Sequence, residues 1–169
     1  MEQSAPTTPD AAVLGVVTLR PATDADRDFL LGVYASTRAE ELAQVAWPPG
    51  QREAFVRQQF EAQDASYRRH NPDASFDVVE VDGRPAGRLT VDRRTTELRV
   101  VDIALLPEFR GSGAGTELLG RLLDEAAASG RRTTVHVELH NPAARLYERL
   151  GFVAVGEHGL HRLMERPAP

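Results

Sequence analysis

The sequence predicts one domain of mixed α/β class. Short runs rich in β-branched residues alternate with segments in which apolar residues recur at helical spacing. Asp82-Gly83, between two such runs, is typical of a hairpin, and a Gly-rich turn joins a strand to a helix near mid-chain. A chain of 169 residues has the ordinary size of one domain. We expect 1–14 to be a disordered tail and 15–167 to form a single domain.

Local signals predict where most elements begin and end. Thr23 and Asp26 are typical of a capping box, which opens a helix that runs toward Trp47. Pro48-Pro49-Gly50 ends that helix, and another follows it. The predicted helices are 23–47, 51–69, one that the turn at 110–116 opens and whose apolar residues fall within 118–126, and 141–150. The predicted strands are 16–20, 76–81, 85–91, 97–105, 133–139, 153–155 and 159–165.

The Gly-rich turn, RGSGAGT over 110–116, predicts an anion site. The first backbone N–H groups of a helix have no partner within the helix, and the helix dipole adds partial positive charge there. A phosphate or pyrophosphate suits such a position, and Arg110 adds a cation at its edge.

This turn differs from two known phosphate-binding loops and resembles a third. A nucleoside-triphosphate loop needs a lysine, and this chain has none. A dinucleotide loop needs its third glycine one residue later than the third glycine here. The spacing of Arg110, Gly113 and Gly115 resembles the acetyl-coenzyme A loop of the GNAT N-acetyltransferase superfamily. A turn without a ligand remains the alternative.

A second motif strengthens the resemblance. Asn141, Ala144 and Tyr147, followed by Gly151-Phe152, are similar to a short helix of GNAT proteins, and the two motifs stand in the family order. The resemblance covers roughly 19–166. It implies a GNAT fold, with a twisted mixed sheet of about seven strands that is splayed between the fourth and fifth, and helices on both faces.

The resemblance also implies acetyl transfer from acetyl-coenzyme A, as co-substrate, to an amine by direct attack in a ternary complex. The strand before the loop would hold the pantetheine arm from one side, and Asn141 from the other. The implied coenzyme-binding residues are Ile103, Ala104, Leu105, Arg110, Gly111, Ser112, Gly113, Ala114, Gly115, Thr116 and Asn141.

Proton transfer needs an acid and a base. The resemblance places Tyr147 at the coenzyme A sulfur as the acid, and a packed core aromatic is the alternative. Asp102 interrupts an otherwise apolar stretch and is the first candidate for the base. Glu97, Glu138 or a water relay without one base remain open, as does a purely structural Asp102.

The acceptor site is expected at the first two helices. Glu40, Glu41 and Trp47 can offer carboxylates and a cation–π surface to a cationic amine, and Gln59, Gln63 and Tyr67 share one face of the next helix. A solvated helix end with a packing tryptophan is equally consistent. Arg93, Arg94, Arg99 and Arg110 are expected to cluster at the coenzyme end.

Composition narrows the function classes. The chain has no cysteine, so thiol chemistry and disulfides are excluded, and its five histidines show no metal-ligand spacing. The net charge of −5 argues against nucleic acid. We expect a cytoplasmic, bacterial protein without metal or membrane association that acts on a small-molecule or peptide amine, with a homodimer possible. The alternative function is an acyl-coenzyme A sensor or silent subunit without transferase activity.

Overall fold

The computed structural model describes residues 15–139 and 143–169. Seven strands form one mixed sheet, ordered β1-β2-β3-β4-β5-β7-β6, in which only β4 and β5 are parallel. The predicted seven-stranded mixed sheet is therefore confirmed. The predicted tail over 1–14 lies outside the described residues. The strands are β1 Val17–Pro21, β2 Ser75–Val81, β3 Arg84–Arg93, β4 Glu97–Leu105, β5 Arg132–Glu138, β6 Val153–His158 and β7 His161–Arg166.

The helices follow the predicted order with one difference. They are α1 Arg27–Thr37, α2 Ala39–Ala43, α3 Gln51–His70, α4 Ala114–Ala128 and α5 Ala144–Arg149. The single helix predicted from 23 to 47 is wrong, because a short 3₁₀ turn precedes α1 and the chain leaves helical geometry at Arg38. The hydroxyls of Ser36 and Thr37 donate to the carbonyls of Val33 and Tyr34 at 2.7 and 2.6 Å. Such bonds compete with the helical ladder and favour its end.

Helices cover both faces of the sheet. Leu89 and Val91 of β3 pack in the core cluster that contains the buried leucines of α4. Arg88, the residue before Leu89, instead meets Gln63 of α3 at 3.0 Å. Because successive strand side chains point to opposite faces, α3 and α4 lie on opposite sides of the sheet. A smaller cluster of Tyr34, Leu42, Val56 and Phe60 joins α1, α2 and α3.

The sheet opens between β4 and β5. Their pairing runs from Glu97 opposite Arg132 to Val100 opposite Val135, although β4 continues to Leu105 and β5 to Glu138. Beyond Val100, β4 stays paired with β3, and β5 stays paired with β7. The predicted splay between the fourth and fifth strands is therefore confirmed. Among the described residues, the peptide groups of β4 that face β5 beyond this point have no partner strand.

A β-bulge marks the point of divergence. Thr90 pairs with Asp102 and Val91 pairs with Val100, so Val101 is an extra residue in β4. An extra residue reverses the alternation of the side chains that follow it and bends the strand. Leu98 and Val100 are fully buried toward α4. Without the bulge Asp102 would share their face, and with it Asp102 faces α3.

Candidate active site

A cleft occupies the opening between β4 and β5. Its volume is about 190 Å³, and its walls come from β4, β5, the end of α1, α3 and Tyr147 of α5. The predicted pair Asp102 and Tyr147 both line it, together with Glu138. The structure thus places an acid candidate and two base candidates in one cavity, whereas Glu97 is buried in an ion-pair cluster and does not line it.

Asp102 is held by an arginine that sequence reasoning missed. Arg88 Nε lies 2.5 Å from Asp102 Oδ2, in an ion pair whose atoms are poorly aligned for a hydrogen bond. Burial raises the pKa of the Asp102 carboxyl, and Arg88 opposes that rise. A carboxylate with a raised pKa is a stronger base than an exposed aspartate, which suits proton removal.

Arg88 is itself fixed from the α3 side. Its Nη2 donates to Gln63 Oε1 at 3.0 Å, and its guanidinium lies 5.8 Å from the Tyr34 ring centroid. The sequence does indicate that Arg88 lies on a polar strand face, because Arg88, Thr90 and Asp92 alternate with apolar residues in β3. That alternation predicts a polar face on β3 but cannot name Asp102 as the partner.

Tyr147 sits at the cleft with a free phenol. It is 5 % exposed, and its ring packs edge-on against Phe152 at 5.5 Å. Within the described residues, no side chain or backbone group bonds to its hydroxyl. Burial, and then the charge of Asp102, raise the pKa of Tyr147 to about 12. The side chain is therefore both a packed aromatic and a protonated donor facing the cavity.

The Gly-rich loop forms the predicted strand-to-helix turn. Gly111 and Gly113 have φ of 69° and 88°, a left-handed geometry that glycine adopts without strain, and α4 begins directly after Gly113. In the described part of the chain, the N–H groups of Ala114, Gly115 and Thr116 meet no acceptor, as expected for a first helical turn. They are free to bind an anion.

Arg110 ties this loop to two neighbouring elements. Its Nε donates to the Leu105 carbonyl at 2.9 Å, and its Nη2 donates to Ser36 Oγ at 3.3 Å. Ser112 Oγ donates to the Phe109 carbonyl at 2.7 Å. These bonds fix the loop beside the open end of β4, where Ile103 and Ala104 line the cleft. Asn141 lies outside the described residues, so its predicted role stays a prediction.

The residues predicted for the acceptor are only partly brought together. Glu41 lines the cleft, with its carboxylate 3.1 Å from Arg38 Nη1, and Gln63 and Tyr67 line it as predicted. Gln59 and the exposed Glu40 do not line the cleft. Trp47 packs on Phe55 at 5.3 Å, and its Nε1 donates to the Leu42 carbonyl at 2.9 Å. The indole therefore belongs to the small core cluster rather than to the cleft.

The arginine cluster expected at the coenzyme end is wrong. Arg93 pairs with Glu125 near the C-terminal end of α4, whereas Arg110 precedes the N-terminal end of that helix. Arg94 and Arg99 pair with Glu97, at the start of β4. Arg94 and Arg110 are near one another in sequence but lie beyond opposite ends of β4, and an extended strand of this length separates its two ends widely. Only Arg110 remains at the loop.

Over 15–139 and 143–169, no three His, Asp or Glu side chains are arranged to hold a metal ion. No helix in the same ranges is long and apolar enough to span a membrane.

Comparison with solved structures places this geometry in a known fold. PaiA N-acetyltransferase from Thermoplasma acidophilum, solved in complex with coenzyme A, superposes with a TM-score of 0.67 at 17 % identity, over 90 % of this chain and 99 % of that one. An acetyltransferase from Thermus thermophilus superposes with a TM-score of 0.64 at 22 % identity, over 89 % and 96 %. At these identities the likeness establishes the fold.

Sequence comparison establishes the family. An uncharacterized N-acetyltransferase of Methanocaldococcus jannaschii is 35 % identical over an 88-residue alignment. The alignment covers 46 % of this chain and 38 % of that protein. The match thus spans well under half of the relative's length. The family described as acetyltransferase (GNAT) matches residues 36–152, more than half of the 169 residues. The chain therefore belongs to the GNAT acetyltransferase family.

Proposed function

We propose that this protein transfers the acetyl group of acetyl-coenzyme A to a primary amine of a small molecule or peptide, by direct attack in a ternary complex. The observation that carries the proposal is the cleft at the splay, which brings Asp102 and Tyr147 together beside the open edge of β4. The adjoining loop supplies free N–H groups and Arg110 for a pyrophosphate.

The residues present fit acetyl-coenzyme A as a substrate. The unpaired peptide groups of β4 near Ile103 and Ala104 can bond to an amide-bearing arm, as an added strand would. The α4 N-terminus lies at the same end of β4 and suits the pyrophosphate. Thioester chemistry is supplied by the coenzyme, and the chain has only to bind, orient and move protons.

Proton transfer can be assigned to two side chains. A primary amine has a pKa of about 10.4 and arrives protonated. Asp102 therefore accepts a proton from it before or during its attack on the thioester. The amine nitrogen forms the new bond to the acetyl carbon as the carbon–sulfur bond breaks. Tyr147, whose pKa is raised to about 12, holds its proton and donates it to the departing sulfur. The acylated nitrogen then loses its second proton, which restores the Tyr147 phenol, and Asp102 releases its proton to solvent. The products are an N-acetyl amine, free coenzyme A thiol and one proton.

Coenzyme A release tests the proposal directly. The protein is mixed with acetyl-coenzyme A and a panel of amines, and released thiol is detected with a thiol-reactive dye. Because the chain has no cysteine, the protein itself gives no background. Amine-dependent release supports the proposal. Tight binding of acetyl-coenzyme A without release to any amine would instead support the sensor function.

A further inference from the structure

A second cavity adjoins the cleft and has a different chemistry. It measures about 320 Å³, roughly the space of ten water molecules. We name it the histidine groove, because four histidines line it together with Arg99: His70, His136, His158 and His161.

The histidine groove is continuous with the cleft. Tyr67, Val101, His136 and His161 line both cavities, so a molecule with one end in the cleft can extend its other end into the groove. Val101 is the bulge residue of β4, so the point at which the strand alternation reverses lies in the wall shared by the two cavities.

The two cavities differ in their carboxylates. Glu41, Asp102 and Glu138 line the cleft, whereas no carboxylate lines the groove among the described residues. The groove instead offers hydrogen-bond donors, since a neutral imidazole donates from one nitrogen and an arginine donates at any pH. This separation of charge matches a molecule that has an amine at one end and an anion at the other.

Arg99 lines the histidine groove with a guanidinium group that is only partly hydrogen-bonded. Its Nη2 donates to Glu97 Oε1 at 2.9 Å, but Glu97 is shared with Arg94 and Arg132, at 3.6 and 3.8 Å. Arg99 Nε is buried and has no hydrogen-bond partner among the described residues. Arg94 and Arg132 also pair with Asp92 and Glu165, at 2.8 and 3.7 Å, so Glu97 is left mainly to Arg99. The buried donor of Arg99 that lacks a partner gains from any acceptor that reaches it.

The histidines lie close enough to influence one another. Burial lowers the pKa of His136, and Arg99, His161 and His158 lower it further, whereas Glu97 raises it. His158 and His161 are paired across β6 and β7. His70 is fixed from α3, where its Nδ1 donates to the Ser66 carbonyl at 2.8 Å. In the neutral ring Nε2 is then an acceptor. Each neutral imidazole whose N–H is not already bonded can donate it to an anion in the groove.

We propose that the histidine groove binds an anionic group, a carboxylate or a phosphate, carried by the acceptor whose amine lies in the cleft. This inference rests on the proposed function and narrows its acceptor to amines with an anionic group on the same small molecule.

Matched acceptors test the inference. Amino acids of increasing chain length are compared with their primary amides, and phosphoethanolamine with ethanolamine, by coenzyme A release. In the native protein the anionic member of at least one pair should have a kcat/KM about tenfold higher or more, as expected for hydrogen bonds to a charged group. The amino acid and phosphate arms distinguish the two anions. Equal kcat/KM within every pair would overturn the inference while leaving the transferase function standing.

Variants locate the preference. His70→Ala combined with His158→Ala removes two imidazoles that line the groove but not the cleft, and Arg99→Met removes the fixed charge. Either change should reduce the preference to about threefold or less. Arg69→Ala is the control, since Arg69 is an exposed neighbour of His70 outside the groove, and it should keep the preference. A preference that survives in both groove variants contradicts the assignment; should Arg99→Met not fold, the double variant decides.

Direct binding separates this inference from the function itself. If no amine releases coenzyme A, the transferase proposal fails. Calorimetric titration of the same acids and amides into coenzyme A-loaded protein then still measures the preference. Tighter binding of the acids, weakened in the double variant, supports the groove. Equal binding of acids and amides rejects it.

Discussion

Replacing Tyr147 by Phe removes one oxygen atom from the cleft and tests the proposed acid. Because its pKa is raised to about 12, only about 10⁻⁵ of the phenol is ionised at pH 7, so the native side chain is always ready to donate. Loss of a general acid lowers rates by roughly 10²–10⁴-fold. We expect kcat to fall in that range while the affinity for coenzyme A is unchanged.

The structure also predicts a small effect of this change on stability. The hydroxyl has no partner among the described residues, and the ring contact with Phe152 at 5.5 Å is retained by phenylalanine. The free energy of unfolding should change by less than about 1 kcal/mol. Thermal unfolding followed by circular dichroism should therefore show a Tm within a few degrees of the native value.

The assay is steady-state coenzyme A release at saturating acetyl-coenzyme A, with Tyr67→Phe as the matched comparison. Tyr67 lines the same cleft and also has its pKa raised by burial, but it lies on α3 rather than on the family motif. Its loss should reduce kcat by tenfold at most. A Tyr147→Phe enzyme with native kcat would show that the ring, and not the hydroxyl, is what the site requires.

Four further predictions concern binding, turnover and pH dependence. Gly113→Asp should weaken coenzyme A binding at least 100-fold by calorimetry, because it places a carboxylate at the α4 N-terminus. Gly130→Asp, also at positive φ but at the other end of α4, should bind normally; equal affinities would remove the loop from the site. Asp102→Asn should lower kcat about 100-fold and abolish the acidic limb of the pH profile. Arg88→Met should move that limb to higher pH, since Arg88 lowers the pKa of Asp102; an unmoved limb assigns it to another group. Glu41→Gln should raise the amine KM threefold at most, because Glu41 is exposed and paired with Arg38, and added salt should mimic it; unaltered amine kinetics make Glu41 a solvated helix end.

Local chemistry determined much of the fold. Asp82-Gly83 predicted the hairpin of β2 and β3, and both residues have positive φ in the structure. The Gly-rich turn predicted the start of α4, because glycines at left-handed φ act within a few residues. The prediction of one helix from 23 to 47 was wrong because short-range side-chain bonds also act there. Hydroxyl bonds at Ser36 and Thr37 end α1, and apolar periodicity does not report such bonds.

The sequence alone determined the motif residues that define the family, because spacing along one loop or one short helix is a local property. Tertiary structure decided how they cooperate. Because Val101 is an extra residue in β4, the Asp102 side chain lies on the α3 face of the sheet and not on the α4 face. There it pairs with Arg88. The same divergence joins the cleft to four histidines from α3, β5, β6 and β7. Strand register and side-chain facing depend on pairing between distant segments, and no local pattern encodes which partner each segment meets.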